Sequence, residues 1–166
     1  MLLSLARWVE STGFFTYIRG SSYTYPAILS LHMVAIAFFG GLILMTDLRL
    51  LGLAMGRRTV SDVVDQLRIP KRVGFVCAAT CGILLFGSKA EDYSHNAYFQ
   101  LKMLLLALVA VHALCFRQSV YNRAEELDRD PRIPVRAKIA AGLSLLLWVG
   151  IFCAGRGIGF VRAPAP

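Results

Sequence analysis

No nucleophile and base stand at a recognised spacing in this sequence, and it has no glycine-rich phosphate loop and no metalloprotease helix. Hydrolytic or nucleotide-dependent chemistry of the chain's own is therefore not expected, and only a redox role stays open to it as an enzyme. The four cysteines, Cys77, Cys81, Cys115 and Cys153, show neither the C-x-x-C spacing of a zinc site nor a disulfide framework. All four fall in apolar runs, where a cysteine packs as a small apolar residue. The opening stretch "MLLSLARWVESTGFFTYIRG" lacks the basic leader of a signal peptide, and Arg7 and Glu10 cut its apolar run short. The apolar–polar alternation of a barrel strand is missing too. Acidic residues are few, ten against eighteen Lys and Arg, which leaves a net charge of +8.

What the chain has instead is apolar surface: 57% of its 166 residues are hydrophobic and the mean hydropathy is +0.59. A water-soluble domain of this size could not hide that much. Four runs, at about 26–46, 73–88, 98–117 and 137–155, are long enough to cross a hydrocarbon core of roughly 30 Å at about 1.5 Å per helical residue. The second is the shortest, held between Arg72 and Lys89. The expected fold is all-α: a single integral-membrane domain over 1–166, built as a four-helix bundle. Leu5, Trp8, Phe14 and Tyr17 suggest that residues 1–20 form an amphipathic helix in the interface, packed flat against the bundle mouth.

Position explains the positive charge better than its total does. Twelve cationic residues, among them Arg49, Arg57, Arg58, Lys71, Arg123, Arg129 and Arg132, fall in the two loops after the first and third runs, and five lie opposite. By the positive-inside rule both termini and the 89–97 loop are outside, in a bacterial inner membrane, and nucleic acid is not an expected partner. In the first basic loop Thr59 or Ser61 can cap a short amphipathic helix that Pro70 stops. The second loop, "NRAEELDRDPRIPVR", mixes signs closely and is expected to be solvated, with Pro134 starting the last helix. The two hairpins show no convincing internal repeat.

Polar groups inside the spans cost free energy and are candidate functional residues. His32, in the outer third of the first span, could ligate haem or copper, carry a proton or simply pack. Asp47 lies about 22 Å further in, and Asp47 and Arg49 are expected to mark the inner rim, with Asp47 paired to a cation of another helix. If the third helix reaches back to His95, then His95, Tyr98 and Lys102 share a face at the outer end. A His32–His112 pair is disfavoured, because the two differ in depth by about 12 Å; His112 then belongs to packing or another site. Ser144, Trp148 and Gly155 form a stripe on the fourth helix, and Arg156 tops it, so one outer tier gathers His32, Lys102 and Arg156 near Trp148.

These residues carry a resemblance. Pro26 and His32 in the first span, the Asp47-to-Gly52 ending "DLRLLG", Phe99 to Lys102, and Ser144, Trp148, Gly155 and Arg156 make the chain similar to an uncharacterised family of small bacterial inner-membrane proteins. In helix number and histidine placement it also loosely resembles copper-resistance membrane proteins of the CopD type and small b-type cytochromes, an analogy of architecture. The leading expectation is haem b, or another redox cofactor, held by His32 with His95 as second ligand and Lys102 and Arg156 on its propionates. That protein would transfer electrons or serve a periplasmic redox partner. Copper handling through His32, Met33, Cys77, Cys81 and Met103 is the second expectation. The third is a cofactor-free accessory subunit of a larger membrane complex; a homo-oligomer is open in each case.

Overall fold

In the computed structural model, residues 2–117, 124–128 and 133–160 are described. Arg123, Arg129, Arg132 and Arg162, part of the basic pattern, lie outside them. Helices α1 (Leu2–Ser11) and α2 (Gly13–Gly20) precede α3 (Thr24–Leu51) and α4 (Val60–Ser88). Then come α5 (Ala90–Ser94), α6 (Ala97–Arg117), α7 (Ala124–Leu127) and α8 (Val135–Gly157). Helices α3, α4, α6 and α8 are each long and apolar enough to cross a bilayer, which makes this a multi-pass membrane protein. Each also turns bulky apolar side chains outward: Val34, Ile83, Leu114 and Leu146 are 65 to 69% exposed. Hydrocarbon, not water, is the solvent that suits such faces.

The second span is longer than its apolar core suggests. The Thr59 hydroxyl accepts the Asp62 N–H at 3.1 Å and starts α4, as expected, but Pro70 lies inside the helix and does not stop it. Proline removes one hydrogen bond and crowds the preceding turn. Here that local loss falls in a 29-residue helix packed along α3, and in membrane helices neighbours routinely compensate such a break.

The other boundaries follow from caps. Asn96 Oδ1 accepts the N–H groups of Tyr98 and Phe99 at 3.0 and 3.2 Å, which fixes the start of α6 at Ala97. His95 therefore falls at the end of α5, not on the face of α6. The N-terminal segment is two helices where one was expected. The hydroxyls of Ser11 and Thr12 each donate at 2.8 Å to the carbonyls of Trp8 and Val9, Thr12 turns extended, and weakly helical Gly13 follows.

Helices α3 and α8 lie at the centre, α3 against α4 and α8, and α8 against α6. Buried Ala137, Ala140, Ala141 and Ala154 let the neighbours of α8 approach closely. At the basic end Leu50, Val60, Val64 and Leu127 join Ala137, Ala140 and Ala141 in the core. Leu127 thus corrects the picture of a wholly solvated second loop, and so does Asp128. Its carboxylate accepts the N–H groups of Val60 and Ser61 at 2.6 and 3.0 Å, so it seats the positive end of α4.

Burial opposes the charge of Asp128, but hydrogen bonds from Ser61 and from the Ser61 and Val60 backbone, with Arg49 nearby, outweigh it and hold the carboxyl below the usual range. A carboxyl depressed on folding contributes stability above its unfolded value near ~3.9 and loses it as pH falls through the folded value. Asp128→Ala should therefore cost about 1 kcal/mol at neutral pH. The gap between the variant's and the parent's melting temperatures should narrow below about pH 4.

Candidate functional site

One face of α3 organises the bundle interior. Tyr25, His32, Phe39 and Thr46 recur every seventh residue, the spacing that keeps side chains on one seam of packed helices. At one end the Tyr25 hydroxyl is 3.1 Å from that of Tyr93, and Tyr93 and Phe86 both stack on Phe99, at 5.4 and 5.3 Å. Lys89 sits over the Tyr25 ring at 4.8 Å. Burial and the neighbouring Tyr25 phenol raise the Tyr93 hydroxyl above the ordinary tyrosine range.

Two turns deeper, His32 lies against Gly82 of α4: a Cβ on that glycine would stand 3.1 Å from His32 Cε1. The Ala78 backbone holds the imidazole by a hydrogen bond, while Nδ1 is buried without a hydrogen-bond partner among the described residues. Lys102 of α6 is half-buried, close enough to interact electrostatically with His32, and its ammonium lies 3.8 Å from where a Gly155 Cβ would be. Among the described residues Lys102 has no hydrogen bond or ion pair. A free imidazole nitrogen and an unpaired ammonium thus share one level of the spans, with a glycine beside each.

An aromatic layer closes the interior below them. Phe39 meets Trp148 edge-on at 5.3 Å and Phe75 at 5.7 Å, and Gly74 admits Phe38 and Phe39 at 3.1 and 3.2 Å from its missing Cβ. Beyond it comes a second polar layer, to which all four spans contribute. Asp47 is 1% exposed and accepts a hydrogen bond from Ser144 of α8, while its Oδ2 has no partner among the described residues. Lys71 of α4 interacts electrostatically with Asp47 and donates to Thr46 Oγ1 at 2.7 Å; Thr46 donates on to the Leu42 carbonyl at 3.1 Å. His112 of α6 is buried, its Nε2 donating at 2.9 Å to the Ala140 carbonyl one turn from Ser144.

The expected outer tier is thus only partly assembled. His32 and Lys102 meet, but Arg156 is exposed, its guanidinium 5.5 Å from the Phe160 ring, and Trp148 belongs to the aromatic layer. His95 is exposed at the cap of α5. Arg49 does not pair with Asp47; its Nε donates at 2.8 Å to the Arg58 carbonyl and ties the α3–α4 loop. Cys77 and Cys81 interact with each other. Among the described residues no three His, Cys, Asp or Glu side chains converge to hold a metal ion. Thr46 and Lys71 were not anticipated. The heptad running from His32 through Phe39 to Thr46 is the signal that could have found the first, whereas Lys71 is hidden among the loop cations.

Fold and layers together define a multi-pass α-helical membrane protein with two polar strata buried among its spans. The chain belongs to the family of unknown function DUF6644, whose model matches residues 5–161. No curated protein and no solved structure matches it.

Proposed function

We propose that this is an inner-membrane protein, with its termini and the His32 layer on the outer side, that binds haem b or a redox cofactor of the same kind at His32 and Lys102. The carrying observation is the buried, unpartnered His32 Nδ1 beside an unpaired ammonium in an apolar span. An imidazole and a cation are what a haem asks for, one group for the iron and one for a propionate. Gly82 and Gly155 supply positions without a side chain beside them. When bound, haem supplies one-electron transfer. The chain's own contribution is to hold one imidazole in place through Ala78, to offer one cation at Lys102, and to seal the layer beneath with Phe39, Phe75 and Trp148 against water. His95, exposed on α5, leaves His32 as the ligand on which this reading stands. The outward orientation is supported by the clustering of arginines at the α3–α4 end.

The test is the visible spectrum of detergent-purified protein supplied with haem, oxidised and dithionite-reduced. A Soret band that shifts on reduction in the parent and is lost in His32→Ala, with helical circular dichroism retained, is expected. A parent that takes up no haem, or a His32→Ala protein with the parent's spectrum, overturns the reading and leaves an accessory subunit of a larger complex in its place.

A further inference from the structure

The second polar layer is not absorbed by the reading above, and it has the better-defined vacancy. Among the described residues Asp47 Oδ2 is an acceptor atom with no donor, in a side chain 1% exposed, inside a membrane span. Its surroundings are laid out unevenly. From α8, Ser144 serves the carboxylate; from α4, Lys71 provides the neighbouring positive charge but spends its 2.7 Å hydrogen bond on Thr46. From α6, His112 is turned to the Ala140 carbonyl, and on α3 itself Arg49 is turned to the Arg58 carbonyl. Among the described residues no charged group on these helices donates to Oδ2.

We infer that Asp47 is a proton-binding site, loaded through Oδ2 from the basic end of the bundle. A proton arriving from water forms an O–H bond at Oδ2, and the carboxylate charge is cancelled while Ser144 stays on the other oxygen. Lys71 then has no counter-charge, so it either returns its own proton to the same aqueous side or turns away from Thr46 toward the rim. In both cases charge balance is restored, and in the second the Lys71–Thr46 link between α4 and α3 opens. The basic end is the shorter way to water. Asp47 is four residues from the end of α3, about 6 Å along its axis, whereas the Phe39–Phe75–Trp148 layer stands between it and His32. A proton is the fitting cation because it needs a single lone pair, whereas a metal ion needs several ligand atoms and among the described residues no three His, Cys, Asp or Glu side chains converge. This inference does not depend on haem at His32, and its test reads no haem signal.

The test is an infrared difference spectrum of the full chain in lipid, acid minus alkaline pH, in light and heavy water. A carbonyl band of a protonated buried carboxyl is expected, shifting on deuteration, absent in Asp47→Asn and kept in Asp65→Asn, which alters an exposed α4 carboxylate paired with Arg68. Ser144→Ala, which removes a small hydroxyl and keeps both charges, should move the midpoint of that band by about one pH unit, a tenfold change in proton affinity. This variant carries the test where Asp47→Asn does not fold. A parent without the band, a midpoint unmoved in Ser144→Ala, a band that survives Asp47→Asn, or a band driven by sodium at constant pH overturns the proposal.

Discussion

Gly87→Ala should undock the N-terminal helices. A Cβ at position 87 would stand 2.3 Å from Phe15 Cε1 and 2.4 Å from its Cζ, so the ring of α2 must leave the surface of α4. Overpacking of this kind costs about 1–3 kcal/mol. Little else holds the collar. Arg7 pairs with Glu91 at 2.6 Å, but its side chain is 67% exposed. Arg19 pairs with Glu10, whose second oxygen accepts the Glu91 N–H at 3.0 Å. Exposed pairs contribute about 0–1 kcal/mol each, so the apolar contacts of Phe15 and of buried Ala6 and Ile18 decide the docking. Trypsin should cut after Arg7 and Arg19 several-fold faster in the variant, while the melting of the four spans changes little. Phe15→Ala in the same chain should remove the clash without restoring the anchor, leaving cleavage fast. A cleavage rate equal to the parent's would show that Phe15 does not hold the collar in place.

How much of this was legible in the sequence depends on which interaction decides each element. Apolar length alone finds the four spans, because the bilayer sets both the required length and the required composition. Element ends were less visible. The Asn96 cap and the doubled hydroxyls of Ser11 and Thr12 are local signals that compete with a continuing helical pattern, and Pro70 is a local break overruled by packing against α3. Pairing across helices was least legible. His32 could be singled out by its cost in hydrocarbon, but its neighbour was set by which helices adjoin, and α5 carries His95 to the surface. Asp128 shows the same limit: its partners, Val60 and Ser61, lie 68 and 67 residues away, and nothing local to either segment announces them.

The two intramembrane lysines should respond oppositely to the same substitution. Lys71→Met leaves the buried Asp47 carboxylate without its neighbouring cation and Thr46 without its donor, and leaving buried polar groups unsatisfied in this way costs about 1–3 kcal/mol. Adding Asp47→Asn should recover most of that loss, since the uncompensated charge goes with it, and the coupling read from the double-mutant cycle should be of similar size. Lys102→Met meets no such debt. Lys102 has no described hydrogen bond or ion pair and lies against Gly155, so methionine keeps its packing and relieves an unpaired charge. The variant should melt at or above the parent's temperature. A cation that the fold would be better without is retained for something other than the fold, and this sets the His32–Lys102 layer apart from the Asp47–Lys71 layer. Thermal unfolding of the single variants in one detergent decides it: a Lys102→Met protein as damaged as Lys71→Met would make both lysines structural and remove the physical ground for placing a ligand beside His32.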